Sequence, residues 1–410
     1  MKGPFGRRRV AVTGVGVICA LGGNQREYWA ASMEGRCGIG DLNLFESEGC
    51  LSHLAAQAKK IRPPASIGRL ERRRASRTDL LCLIAAEEAV AQAGLEGSGI
   101  LHDFGVSIGT SNAGMLEAEE YCRDGLRRGS NRVGPSRVLR LPKSAPGDVL
   151  ARHFSLRGPR LSNMTACASS AASIGFAADL IRGGGAPGMI AGGGDALCRM
   201  THSGFNALRL VDPTPCRPFD ASRTGLSLGE GAGILVLEEW DHALGRGVSA
   251  LAEFLDYGSS CDAHHMTAPH PEGRGAAAAM AEALERSGVP RDRIGHLNAH
   301  GTGTPLNDAA ESLAILTVFG PDLSARIPLT ATKSLIGHLL GGAGGVEAVT
   351  LVLSLLHQAI PPTLGWTACD PGTRIDVVAG SARKFAFEYG LSNSFGFGGT
   401  NCSLVFRRCA

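Results

Sequence analysis

Short β-branched runs, Val10 to Val12, Val106 to Ile108, Ile234 to Leu237 and Ile294 to Leu297, alternate along the chain with alanine-rich segments such as Leu80 to Ala93 and Ala276 to Arg286. A strand buried on both faces reads as an unbroken apolar run, whereas alanine-rich stretches with few breakers suit helices. The alternation predicts an α/β fold. A second pattern is superimposed on it. Leu228-Gly229-Glu230-Gly231-Ala232-Gly233 leads into Ile234 to Leu237, and Phe395-Gly396-Phe397-Gly398-Gly399 leads, through Thr400 to Ser403, into Leu404 to Phe406. A glycine turn feeding a final strand, once in each part of the chain, is what two similar halves would produce, although glycine turns also recur by chance. With 410 residues the chain exceeds one ordinary core, so two packed units are expected: 1–250 and 251–410, divided after the charged segment Glu238 to Arg246.

Charge and composition remove several function classes. Forty-one basic against 38 acidic residues leave a net charge of only +3, which gives no global field for nucleic acid or a membrane surface. No apolar stretch reaches the 18 or more residues of a spanning helix. Lys2 and Arg7 to Arg9 ahead of Val10 to Leu21 mimic a secretory leader, but Thr13, Gly14 and Gly16 interrupt the apolar run, and a buried strand ending in a glycine turn explains it better. Twelve cysteines stand singly, with no Cys-x-x-Cys pair, so a reducing cytoplasm is the expected location.

The chemistry concentrates at three places. Cys167 follows Leu161-Ser162-Asn163-Met164-Thr165-Ala166 and opens a small-residue run, Ala168 to Leu180, that reads as a helix. A thiol at a helix N-terminus meets unpaired N–H groups and the positive end of the dipole, which favour the thiolate. An inert buried thiol is the alternative, and it describes most of the other eleven. His300 lies where the apolar run ending Leu297-Asn298-Ala299 meets the turn Gly301-Thr302-Gly303-Thr304-Pro305. Strand ends are where functional side chains of α/β folds collect, although a lone histidine is more often structural. Asp308 and Glu311 have the spacing of a capping box that restarts a helix.

His338 belongs to Lys333-Ser334-Leu335-Ile336-Gly337-His338-Leu339-Leu340-Gly341-Gly342-Ala343-Gly344-Gly345, ahead of the helix-like Val346 to Leu356. The Lys-Ser pair lacks the preceding glycines of a phosphate loop, and the glycines after His338 suit a helix lying close to another backbone. Lys333 is either a surface lysine or a fixed charge near the site. Neither Gly14-x-Gly16 nor Gly192-Gly193-Gly194 has the dinucleotide spacing. Asp262, His264, His265 and His270 crowd a proline-containing loop without metal-ligand spacing, so no metal is expected.

Thr165-Ala166-Cys167, His300-Gly301-Thr302-Gly303-Thr304-Pro305, Lys333-Ser334 with Gly337-His338, and Asn393-Ser394-Phe395-Gly396-Phe397-Gly398-Gly399-Thr400-Asn401, in this order, resemble the elongating β-ketoacyl-acyl carrier protein synthases of type II systems. The resemblance runs from Val12-Thr13-Gly14 to Asn401. It implies a thiolase-like fold with duplicated halves forming a five-layered αβαβα sandwich. It implies a decarboxylative Claisen condensation in fatty acid or polyketide biosynthesis, polyenes included. Cys167 would carry the acyl chain, His300 and His338 would bind the malonyl thioester carbonyl, and Lys333 would support the histidines. The N–H groups of Cys167 and Phe397 would form a second oxyanion hole, with the Phe397 ring as a gate. Thr302 and Thr304 would bind the pantetheine arm. No cofactor is implied beyond the carrier protein's phosphopantetheine.

The implied partners are an acyl carrier protein and a second ketosynthase-like subunit, identical or homologous. Carrier proteins of this kind present an acidic helix, so Arg69, Arg72, Arg73, Arg74 and Arg77, with Arg223, form the candidate docking patch; a solvated helix face is the alternative. Asn112 stands where long-chain enzymes often carry an apolar pocket residue, and Ser170, Ala171 and Ala172 are small, so an ordinary long saturated chain is not the expected substrate. Two rival readings are a non-catalytic chain-length-factor-like partner, which normally lacks the cysteine, and a thiolase-type acyltransferase, which typically replaces one histidine.

Overall fold

The computed structural model describes residues 6–59 and 61–409; Lys2, part of the leader-like start, lies outside the described residues. The N-terminal half supplies β1 (Val10–Ile18), β2 (Gly105–Gly109), β3 (Arg160–Asn163), β4 (Gly188–Asp195) and β5 (Gly231–Glu239). The C-terminal half supplies β6 (Ala252–Cys261), β7 (Ile294–Asn298), β8 (Pro328–Thr330), β9 (Asp376–Val377), β10 (Tyr389–Gly396) and β11 (Thr400–Arg408). In space the order is β3-β2-β4-β5-β1 followed by β6-β11-β10-β7-β8-β9.

The two runs are one topology used twice. In each half the second strand is parallel to the third and fourth, and the fifth is antiparallel to both the fourth and the first, once the short β9 is set aside as an edge addition. The glycine echo of the sequence falls on equivalent strands, β5 and β11. Where the halves meet, β1 pairs antiparallel with β6 through Val10↔Phe254, Ala11↔Glu253 and Val12↔Ala252. The leader-like apolar run is thus a central strand, with all nine residues of β1 buried.

Five long helices complete the layers: α1 (Arg77–Gln92), α2 (Ser169–Arg182), α3 (Arg274–Ser287), α4 (Pro305–Ser324) and α5 (Ala343–His357). Helix α1 covers the outer face of β1 and β5, while α3, backed by α4, covers β6 and β11. Helices α2 and α5 lie between the half-sheets and touch strands of both. The result is the expected αβαβα order.

The central layer explains its own composition. Helix α5 is buried on every face from Ala343 to Leu355, as a helix apolar all round must be. Leu340–His357 is long and apolar enough to cross a membrane by composition, contrary to the expectation that no stretch qualifies, but 89% of it is buried inside the protein as this core helix. The glycines after His338 allow the close approach that the sequence suggested. A Cβ on Gly345 would lie 2.4 Å from the Gly233 carbonyl oxygen, and one on Gly344 would lie 3.0 Å from the Ala171 nitrogen. Larger residues here would push α5 away from strand β5 and helix α2.

Candidate active site

Strand β3 ends at Asn163, and the chain reaches α2 through a tight turn over Ala166–Ala168 that holds Cys167. Ala166 adopts a left-handed conformation, φ 47°, which costs a residue with a Cβ about 1 to 2 kcal/mol. Its carbonyl is correspondingly well fastened. It accepts from the Ser111 hydroxyl at 3.0 Å, the Ser169 hydroxyl at 2.6 Å and the Ser169 backbone N–H. On the other side of the sulfur, Gly396 lets β10 approach so closely that a Cβ there would sit 3.1 Å from the Cys167 nitrogen. The thiol is buried, and the Phe397 backbone N–H lies close enough to favour its thiolate.

The expected lowering of the thiol pKa by the helix N-terminus is overturned. Burial pushes Cys167 up to about 11, against the opposing pull of Lys333 and the Phe397 N–H, so the free site holds its sulfur protonated at neutral pH.

The C-terminal half brings the two imidazoles. His300 follows β7 in a loop whose amides are gathered by two buried carboxylates. Glu311 accepts from His300 N at 2.9 Å and Gly301 N at 2.8 Å, and Asp308 accepts from Thr302 N and Gly303 N, both at 3.1 Å. Helix α4 starts at Pro305 rather than at Asp308, so these side chains fold back to hold the histidine loop and do not form the expected capping box. Lys333 is fully buried. Its Nζ donates to the His300 carbonyl at 2.5 Å, to Glu347 at 2.5 Å and to His300 Nδ1 at 3.2 Å.

These partners fix the ring tautomers. Nδ1 of His300 accepts from Lys333, and Nδ1 of His338 accepts from the Leu340 N–H at 3.1 Å, so each ring carries its proton on Nε2. Burial first, then the Lys333 charge, hold both rings well below the ordinary histidine range, and they stay neutral. Their centroids are 5.3 Å apart with planes at 83°. The site therefore offers two uncharged N–H donors.

Cys167, His300 and His338 line one cavity of about 280 Å³, together with Phe205, Phe397, Thr302 and Thr304. The Phe397 ring packs on Phe205, centroids 5.4 Å apart. The hydroxyls of Thr302 and Thr304 lie 2.9 Å from each other. A wider cleft of about 630 Å³ beside Cys19 and Arg26 contains no such convergence of thiol and imidazole. Asp262, from the histidine-rich loop, also borders the site cavity, where it accepts from Asn401 Nδ2 at 2.8 Å and His270 N at 2.9 Å.

Three expected contacts are corrected. Asn112 does not line the cavity: its amide donates to the Ala196 carbonyl at 3.2 Å and its oxygen accepts from Thr201 at 2.8 Å. Arg77 turns inward to a buried ion pair with Glu230 at 2.5 Å. Arg223 is buried, pairs with Asp370 at 2.7 Å and donates to the Asp220 carbonyl at 2.9 Å. Neither arginine is available for docking; Arg69, Arg72 and Arg73 are exposed on the helix Arg69–Arg74, and Arg74 is half-buried. The sequence reading also missed Phe205, Glu347 and Asp195, and gave Glu311 the wrong task. Only Asp195 left a trace, as a carboxylate directly after the glycines that end a strand.

Family models match both halves: the β-ketoacyl synthase N-terminal domain over residues 7–243 and the C-terminal domain over residues 251–367. A 3-oxoacyl-[acyl-carrier-protein] synthase 2 of Synechocystis sp. is 37% identical over 410 residues, 98% of either chain. The solved ishigamide ketosynthase/chain length factor superposes with a TM-score of 0.93 at 34% identity, covering 98% of this chain and 100% of that one. A type II polyketide synthase ketosynthase, solved in complex with its acyl carrier protein and bound to the hexaketide, gives a TM-score of 0.88 at 28% identity, with coverage of 98% and 100%. A thiol and two neutral imidazoles thus meet inside a duplicated fold that matches these relatives from end to end, and the chain belongs to the β-ketoacyl synthase family.

Proposed function

We infer that this β-ketoacyl synthase divides its reaction between the thiol and the imidazole pair. The Cys167 sulfur attacks the thioester carbonyl of an acyl carrier protein, the C–S bond to the carrier breaks, and the Cys167 proton ends on the carrier sulfur, which leaves as its thiol. The N–H groups of Cys167 and Phe397 bind the developing oxyanion. Malonyl carrier protein then places its thioester carbonyl against the two Nε2–H donors. The bond to the carboxylate breaks, carbon dioxide leaves, and its electron pair forms the enolate that the imidazoles stabilise. That enolate attacks the Cys167 thioester, and the C–S bond breaks to release the β-ketoacyl carrier protein, two carbons longer.

The observation that carries this reading is the neutral Nε2–H tautomer of both buried rings in the cavity of the thiol. Preorganised donors aimed at an oxyanion contribute about 3 to 4 kcal/mol each. Neutral rings suit this task better than cations, because they neither bind the malonyl carboxylate tightly nor hold back the carbon dioxide. Lys333, buried against Glu347, fixes the tautomer of His300. Thr302 and Thr304 offer hydroxyls to the pantetheine arm, and the Phe397 ring gates the sulfur.

The partner is an acyl carrier protein, met by Arg69, Arg72, Arg73 and Arg74. A homologous or identical second subunit docks on β3, the edge strand of its half-sheet, where Met164 is 61% exposed. Twelve free cysteines suit a reducing cytoplasm. Polyketide or polyene assembly fits as well as fatty acid elongation. Intact-mass analysis after incubation with acyl carrier protein thioester tests the reading: one acyl adduct, absent in Cys167→Ala, is expected. An unmodified wild-type protein contradicts it.

A further inference from the structure

The sulfur and the His338 ring come from different halves of the chain, yet both trace back to one carboxylate. Asp195, the last residue of β4, is completely buried and accepts five hydrogen bonds on two oxygens. Oδ1 takes the Thr110 hydroxyl, Asn112 N at 2.8 Å and Ala113 N at 3.1 Å. Oδ2 takes Ser111 N and Gly341 N, both at 2.8 Å.

From Oδ2 two short paths diverge. Ser111, held by its amide, turns its hydroxyl to the Ala166 carbonyl at 3.0 Å and so supports the left-handed turn that aims Cys167. Gly341 belongs to the turn Leu340–Gly342, and the Leu340 N–H in that turn fixes His338 Nδ1 at 3.1 Å. The two paths are pressed together at their origin, since a Cβ on Gly341 would meet the Ser111 nitrogen at 2.5 Å. Ser170 adds a second tie, accepting from Gly345 N at 3.0 Å and donating to the Gly341 carbonyl.

We propose that Asp195 is a positioning residue that sets the spacing between the acylated sulfur and the His338 donor, and thereby couples enolate formation to carbon–carbon bond formation. This rests on the assignment of Cys167 and His338 given above. Each partial reaction needs only one side of the strut, whereas condensation needs both in register. Asp195 touches no reacting atom. A small displacement in either path leaves acyl transfer and decarboxylation possible, but the enolate then meets water before it meets the thioester. It takes up a proton and leaves as acetyl carrier protein.

The readout is therefore the ratio of acetyl to β-ketoacyl carrier protein formed by the acylated enzyme from malonyl carrier protein, measured by mass spectrometry with carbon dioxide release in parallel. Asp195→Asn preserves shape but turns one acceptor into a donor facing N–H groups. We expect this ratio to rise at least fivefold over wild type, while acylation of Cys167 and carbon dioxide release each stay within threefold. Ser111→Ala, at a half-exposed position, cuts only the path to Ala166, and the ratio should rise at least twofold. If acylation, decarboxylation and condensation all fall in parallel at an unchanged ratio, or if Ser111→Ala keeps the wild-type ratio while Asp195→Asn fails to fold, the proposal is overturned. A wild-type enzyme that makes no β-ketoacyl product would instead defeat the assignment of the site itself.

Discussion

The loops that follow the second strand of each half are built alike and do different work. After β2, the amides of Ser111, Asn112 and Ala113 converge on Asp195; after β7, those of His300, Gly301, Thr302 and Gly303 converge on Glu311 and Asp308. In both places buried carboxylates collect consecutive N–H groups, which turns a loop into a rigid mount. The N-terminal loop then presents only Ser111 to the neighbouring turn, whereas the C-terminal loop presents an imidazole. The segments after the third strands diverge in the same way: β3 leads to a thiol, and β8 leads to Lys333 and His338. The same strand topology is used twice, and the chemistry differs because the two halves present different side chains at equivalent places.

If the N-terminal half supplies the nucleophile and the C-terminal half the imidazoles that stabilise the enolate, removing each should remove its own step. The largest effect is expected for Cys167→Ala, which should lose the acyl adduct and lower condensation by more than about a thousandfold, as loss of a covalent nucleophile does. A condensation assay with purified carrier thioesters reads it; residual turnover near wild type would show that the thiol is not the acyl carrier. Glu311→Ala attacks the mount rather than the ring. It strands the amides of His300 and Gly301 at a cost of about 1 to 3 kcal/mol each in thermal or denaturant unfolding, and should slow carbon dioxide release more than acylation of Cys167. Equal slowing of both steps would mean that Glu311 serves the whole fold and not the imidazole half.

Replacing Arg69, Arg72 and Arg73 by Glu tests whether the carrier docks from the N-terminal half. We expect the KM for the carrier protein to rise about tenfold and its salt dependence to weaken, with iodoacetamide alkylation of Cys167 unchanged. An unchanged KM would move the docking surface elsewhere.

The smallest effect concerns pH. His296 lies on β7, completely buried with both ring nitrogens unpartnered, and burial lowers it to about 3, while the equivalent strand β2 carries no titratable side chain. Between about pH 6.5 and 3 the unfolded chain binds a proton that the folded chain refuses, so stability falls as pH drops. His296→Leu should therefore gain about 2 kcal/mol at pH 5 relative to its difference from wild type at pH 7, read by urea unfolding. A pH-independent difference would contradict the lowered pKa.

Much of this was legible in the sequence because it rests on short-range pattern. Apolar runs gave the strands, alanine-rich stretches the helices, and the glycine turns before Ile234 and Leu404 marked equivalent strands of the two halves. Cys167, His300, His338 and Lys333 each stood in a turn beside a strand or helix, where reactive groups collect. The failures share a cause. Arg77 and Arg223 look like surface charges until Glu230 and Asp370 are brought to them across the fold. Asn112 looks like a pocket residue until Thr201 and Ala196 absorb its amide. The thiol pKa followed from the helix end alone, whereas burial, a property of the whole structure, dominates it. Asp195 carries no local motif because its five donors come from two remote segments, Thr110 to Ala113 and Gly341.

The central claim, that Cys167 takes the acyl group while the imidazole pair drives decarboxylation, is tested most directly with His338→Ala. Formation of the acyl adduct on Cys167 and release of carbon dioxide from malonyl carrier protein would be timed in the same preparation. The account predicts acylation within about tenfold of wild type and carbon dioxide release reduced by about a hundredfold or more, the usual loss for an oxyanion donor. Equal reduction of both rates, or decarboxylation at the wild-type rate, would contradict it.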